Sequence, residues 1–189
     1  MIEKKIVFFI GLAIIVERVI ETVLPDKLKQ KGKVTSKWLF NCMLLCGGSV
    51  YLMAILEFTF VVNKISIIAT YTGIFLIVIR IMLKIWVVRT LGRFWSIQIE
   101  IRDDHKLVIK GPYRFMRHPS YLSTMIEATA GPLIFNAYFT IIFVWLFYFP
   151  LLLLRIHLEE KELLSKFGKE YSVYRSKVFA LLPFKLYRD

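Results

Sequence analysis

Residues 39–62 run for 24 positions with one charged side chain, Glu57. That is longer than a soluble core helix needs and long enough to cross the roughly 30 Å hydrocarbon layer of a bilayer. Similar stretches recur at 6–24 and 65–88. A fourth, 121–154, is interrupted by Gly131-Pro132 and Asn136, which suits a helix hairpin better than one long helix. Each hairpin arm is then about 15–17 residues, short of the roughly 20 an untilted span requires. With 57% of its 189 residues hydrophobic and 21% charged, the chain has too much apolar surface for a soluble domain of one core. The expected fold is all-α integral membrane, with about five transmembrane helices in a single domain. Residues 1–88 supply three spans, and residues 89–189 form a core that contains the hairpin 121–154.

Lys4 and Lys5 before an apolar run resemble the start of a secretory signal. Glu17, Arg18 and Glu21 stand where a small-residue cleavage site would lie, so the run reads as a first span. Those three charges read as an interfacial or intrahelical cluster. Cys42 and Cys46, four apart on one helix, cannot bridge without strain and read as small packing residues.

Charge sets the orientation. Of 26 lysines and arginines, five fall in 25–38, seven in 89–120 and eight in 155–189. The opposite loops hold Lys4, Lys5 and Lys64. The positive-inside rule places the three rich segments in the cytoplasm and the N-terminus outside. Basic loops beside anionic headgroups account for the net charge of +12, so no nucleic acid is needed as a partner.

The residues that can carry chemistry lie in two polar segments. One holds Gln98, the stretch His105, Lys106, Leu107 and Val108, then Tyr113, and the turn His118, Pro119, Ser120 and Tyr121. The other begins at Arg155 and continues through Glu159, Glu160 and Glu162 to Phe167-Gly168-Lys169-Glu170-Tyr171. Taken singly each residue has an ordinary account, as a helix cap, a span-end arginine or a solvated face. Arg155 and Glu159, however, are four apart and share a face where the hairpin leaves the membrane. The His-Pro-Ser-Tyr turn lies where the hairpin enters it. A hairpin returns to the side it left, so both groups meet at one membrane surface. A cationic place for an anion and an acidic place for a cation or hydroxyls then lie side by side.

These elements, in this order, resemble those of isoprenylcysteine carboxyl methyltransferases. The likeness spans roughly 89–183: Leu91-Gly92, His105 to Val108, Gly111-Pro112-Tyr113, Arg117-His118-Pro119-Ser120-Tyr121, Arg155-x-x-x-Glu159-Glu160, and Phe167-Gly168-x-Glu170-Tyr171. The resemblance implies a membrane enzyme, of the small prokaryotic type, that transfers a methyl group from S-adenosylmethionine to a carboxylate on a lipid-modified substrate. It implies that Gln98, His105, Lys106, Leu107, Val108, Tyr113, His118, Pro119, Ser120, Tyr121 and Glu159 hold the cofactor, and that Arg155 holds the substrate carboxylate. No metal is implied. No general base is required, because a carboxylate with a pKa of about 3.3–3.7 is ionised at neutral pH. The acceptor is expected to be a prenylated or lipid-like acid, or an acidic enol on an apolar tail. A phospholipid amine methyltransferase, a sterol-reductase-like NADPH enzyme and a non-enzymatic membrane protein are the competing readings.

Overall fold

The computed structural model describes residues 4–23, 33–34, 37–95, 100–101 and 107–182. Helices α1 (Lys4–Val23), α2 (Lys37–Phe60) and α3 (Ile67–Leu91) come first. Then come α4 (Pro119–Ile134), the short α5 (Tyr138–Phe143), α6 (Phe149–Phe167) and α7 (Lys169–Lys177). A π-helical turn, Val144–Tyr148, joins α5 to α6 without a break. Two-residue strands β1 (Lys33–Val34) and β2 (Glu100–Ile101) pair antiparallel. They tie the segment after α1 to the segment after α3, so both lie at one end of the bundle. At the other end the Lys4 ammonium donates to the Val62 carbonyl at 2.7 Å, beside the α2–α3 loop.

The hairpin forms, but its details differ from the sequence reading. Gly131 and Pro132 do not break it; both lie inside α4. Proline is tolerated there because its missing N–H removes one bond in the last turns, and its carbonyl still accepts from Ala137 N at 2.9 Å. The chain turns at Asn136, whose φ of 56° is a conformation that asparagine tolerates better than most residues. Its side chain fixes the turn. It accepts from Ser66 N at 2.6 Å and donates to Thr70 Oγ1 at 3.0 Å and to Ile134 O at 3.2 Å. The second arm is also longer than expected, since Tyr138–Phe167 is one run of 30 residues. Beyond residue 154 it stays helical because Ile156 and Glu160 are buried on the face that Leu152 and Arg155 began. Gly168, at φ 52°, then stops it, with its N–H on the Leu164 carbonyl.

Glu57, the one charge of the 39–62 run, caps a helix from outside. Its carboxylate accepts from Phe139 N at 3.0 Å, Thr140 N at 2.8 Å and Thr140 Oγ1 at 2.7 Å. An anion at the N-terminus of α5 meets free N–H groups and the positive end of the helix dipole. Between α3 and α4, Gly73 allows close approach, because a Cβ there would lie 2.6 Å from Ile134 Cγ1 and 2.9 Å from Ile134 N.

Apolar residues cover the outside of the bundle: Ile68 is 81% exposed, Phe60 78% and Leu45 75%. Arg80, by contrast, is among the largest fully buried side chains, at 2%. Water would not tolerate this distribution and lipid does, so the chain is a membrane protein. Of the five spans expected, two, Lys37–Phe60 and Tyr138–Phe167, are both long and apolar enough to cross a membrane among the described residues. The 20-residue α1 and 25-residue α3 carry charges, and α4 is 16 residues long.

Arg18 stands 3.5 Å from Glu21 on its own helix, as the intrahelical reading expected, and those charges also meet partners across helices, which that reading did not include. Arg80 on α3 reaches Glu127 on α4 at 2.7 Å, and Glu17 and Glu21 on α1 at 2.9 and 2.8 Å. Arg18 stands 3.4 Å from Glu127, and Lys84 pairs with Glu21. Tyr51 of α2 donates to Glu127 at 2.8 Å. Three acids and three bases thereby join three helices, and the Tyr51 hydroxyl brings in the fourth.

Candidate active site

A cavity of about 430 Å³ opens where α6 leaves its apolar stretch, between the start of α4, α6, α7 and the inner face of α2. Of the twelve residues expected at the site, Leu107, Val108, Tyr113, His118, Ser120, Tyr121, Arg155 and Glu159 line it. Pro119 is buried just behind, as the first residue of α4. Gln98, His105 and Lys106 lie outside the described residues.

Tyr121 stands between the two charges of the site. Its hydroxyl accepts from Arg155 Nε at 2.9 Å and donates to the Glu159 carboxylate. The Arg155 guanidinium lies 5.4 Å from the Tyr121 ring centroid and 5.9 Å from that of Phe40, and 3.8 Å from the Met43 sulfur. Arg155 is 7% exposed. An arginine that donates to the hydroxyl of one ring residue and lies within 6 Å of that ring's centroid and of a second is held in place from two sides. The one-turn spacing of Arg155 and Glu159 thus places both at one cavity wall.

Glu160 faces the other way and holds the wall together. Its Oε1 lies 2.7 Å from Arg117 Nη2 and 3.1 Å from His118 Nε2, and its Oε2 lies 3.2 Å from Arg175 Nε on α7. Burial works to raise the Glu160 carboxyl, but the bonds from His118 and Arg117 outweigh it and hold it at about 2. Backbone bonds finish the wall: Arg117 N and His118 N donate to Phe179 O and Ala180 O, each at 2.9 Å. Tyr174 of α7 donates to the Tyr113 carbonyl at 2.6 Å. His118 therefore spends its ring on Glu160 and on stacking against Tyr121, with centroids 5.5 Å apart. Its side chain makes no cap bond to α4.

Burial pushes the Tyr113 phenol well above its ordinary range, and the Glu159 charge adds to this. Burial does the same to Tyr171, with Glu160 adding. Both are neutral hydroxyls at physiological pH. The Tyr171 hydroxyl has no hydrogen-bond partner and is the one buried side-chain polar atom so placed among the described residues.

Sequence reasoning left Glu160, Arg117 and Tyr171 without roles, although all three stood inside the quoted motifs. Phe40 and Met43 carried no signal, because an apolar residue on a membrane span looks the same whether it faces lipid or a cavity.

Fold and site together define a helical membrane protein with a charged, aromatic-walled pocket at the polar end of a hairpin. The family model described as the isoprenylcysteine carboxyl methyltransferase family matches residues 72–165, about half the chain. Residues 72–165 thus carry that family's pattern. An uncharacterised protein of Bacillus subtilis, YpbQ, is 34% identical over 104 residues, covering 54% of this chain and 59% of the relative. A probable protein-S-isoprenylcysteine O-methyltransferase of Oryza sativa subsp. indica is 36% identical over 121 residues, covering 61% of each. The chain thus spans about three fifths of the length of these relatives. The structure of a eukaryotic intramembrane Ras methyltransferase, an isoprenylcysteine carboxyl methyltransferase, matches with a TM-score of 0.59 at 21% identity, over 94% of this chain and 61% of that one. This last likeness is one of fold.

Proposed function

We propose that the protein is a membrane methyltransferase that uses S-adenosylmethionine to methylate an oxyanion, a carboxylate or acidic enol, on a lipid-like or prenylated acceptor. The observation that carries this reading is the Arg155–Tyr121–Glu159 relay on one cavity wall at the end of the apolar layer. An amphiphile's charged head would rest at that level with its tail in lipid. The loops that build the pocket would face the cytoplasm.

The cavity suits an adenosyl cofactor by size and by donor set. Leu107, Val108 and Tyr113 offer an apolar and aromatic slot, and Glu159 offers an acceptor for hydroxyl or ammonium groups. Gln98, His105 and Lys106 would add to this, with Ser120 and Tyr121 from the turn that His118 and Pro119 hold. When bound, S-adenosylmethionine supplies an electrophilic methyl group. The protein's own work is to orient and to exclude water. Arg155 presents a planar fork to the acceptor oxygens and offsets their lost hydration. The surrounding helices keep the pair aligned, an effect worth up to about 7–11 kcal/mol. The nucleophile arrives ionised, so no proton has to be removed.

Two substitutions at Arg155 test the reading in detergent-solubilised protein. Arg155→Ala should bind S-adenosylhomocysteine nearly as wild type does while methyl transfer falls by about 2–4 kcal/mol, roughly 30- to 1,000-fold. Arg155→Lys should recover part of the rate, since an ammonium cannot make the bidentate contact. Normal turnover in a folded Arg155→Ala variant would remove the oxyanion clamp and bring an amine acceptor forward. Binding of NADPH in place of S-adenosylhomocysteine would overturn the cofactor.

A further inference from the structure

Helix α7 closes one side of the cavity, and two tyrosines one turn apart project from it inward, both buried. They differ in what their hydroxyls do. The Tyr174 hydroxyl donates to the Tyr113 carbonyl and so ties α7 to the motif loop. The Tyr171 side chain is 1% exposed, lines the same cavity, and has no partner for its hydroxyl among the described residues. It belongs to an apolar cluster with Tyr174 and Val178, against which Leu107, Leu163 and Phe167 pack, none of which carries a side-chain polar group. Phenylalanine would serve that packing equally well and would leave no orphan. Buried hydroxyls in folded proteins find a partner in the great majority of cases, and the residue that carries this one lines the cavity.

We propose that the Tyr171 hydroxyl hydrogen-bonds the adenosyl portion of the bound cofactor, making α7 a ligand-contacting element as well as a wall. This rests on the cofactor reading above and adds a residue to it. A neutral phenol suits the task, because it can donate to a ring nitrogen or ribose oxygen or accept from an amino group. The neighbouring Leu107, Leu163 and Phe167 give the flat apolar surroundings that a purine needs.

The test compares Tyr171→Phe with Tyr174→Phe in the full-length protein, measuring thermal stability without ligand and S-adenosylhomocysteine affinity by calorimetry. Tyr171→Phe should melt at or above the wild-type temperature, since it deletes an unsatisfied buried group. It should bind S-adenosylhomocysteine about 3- to 10-fold more weakly. Tyr174→Phe should melt lower, because it breaks a bond that the protein makes with itself. Wild-type affinity in Tyr171→Phe would overturn the proposal and leave the cofactor reading standing. A marked loss of stability in Tyr171→Phe would also overturn it, by showing that the hydroxyl has a structural partner. If the wild-type protein fails to bind S-adenosylhomocysteine, the cofactor reading falls and this proposal with it.

Discussion

Tyr121 couples two charges of opposite sign through one oxygen, accepting from Arg155 and donating to Glu159. Tyr121→Phe keeps the ring that stacks on His118 and lies beneath the guanidinium, and removes only that oxygen. Arg155 then loses an acceptor and Glu159 loses a donor. We expect methyl transfer to fall by about 1–3 kcal/mol, roughly 5- to 150-fold, and the melting temperature to fall as well, since both bonds are made within the protein. Steady-state rates beside a melting curve check this, and an unchanged rate would show that Arg155 is oriented by its aromatic neighbours alone. At this scale the sequence was most legible where spacing enforces geometry. Arg155 and Glu159 share a face because they are one turn apart. The coupling through Tyr121, 34 residues from Arg155, depends on tertiary packing that no local spacing encodes.

Between elements, Glu160 is the junction of α6, α7 and the turn before α4. Its folded carboxyl, at about 2, lies below the roughly 4.3 of an unfolded glutamate. The ionised form therefore stabilises the folded state. That contribution is complete above the unfolded value and is lost as pH falls through the folded one. Wild-type protein should lose melting temperature between about pH 5 and pH 2, and Glu160→Gln, lower at neutral pH, should show a shallower acid limb. Parallel curves for the two would mean that α7 docks without this charge. The hairpin shows how legibility fails at the same scale. Gly131-Pro132 and Asn136 stood together as the interruption, and of these the turn fell at Asn136 alone. Ser66 and Thr70, 70 and 66 residues away, hold the asparagine side chain, and Pro132 sits close enough to a helix end to cost little.

Across the whole molecule, the Arg80 network sets how α1, α3 and α4 can meet. Replacing Arg80 by Met leaves Glu17, Glu21 and Glu127 facing one another without their central cation. Removing one partner from a buried ionic group costs about 3–5 kcal/mol, so Arg80→Met should melt far lower or fail to accumulate. Adding Glu127→Gln should recover part of the loss; no recovery would show that the three acids do not act as one group. Topology belongs to this scale as well. Lys64 and Lys169, each changed to Cys, should label from opposite sides of intact membranes, and labelling from the same side would refute the orientation drawn from the basic loops. The membrane class and the hairpin could be read from apolar run lengths, which report on solvent. The ionic network could not, since its members are scattered from position 17 to position 127 and each has an ordinary local explanation.

The bonds from Arg117 and His118 to Phe179 and Ala180 also impose an order on biosynthesis. The motif turn leaves the ribosome about 60 residues before the stretch of chain that completes it, and the whole hairpin must be made in between. A nascent chain halted within α6 would have inserted its membrane helices yet own no finished pocket. On the proposed function, competence to bind a ligand would arise late, when residues 169–180 fold back onto the turn. Translation that stops early should leave an inert membrane protein that draws nothing from the cell's cofactor pool.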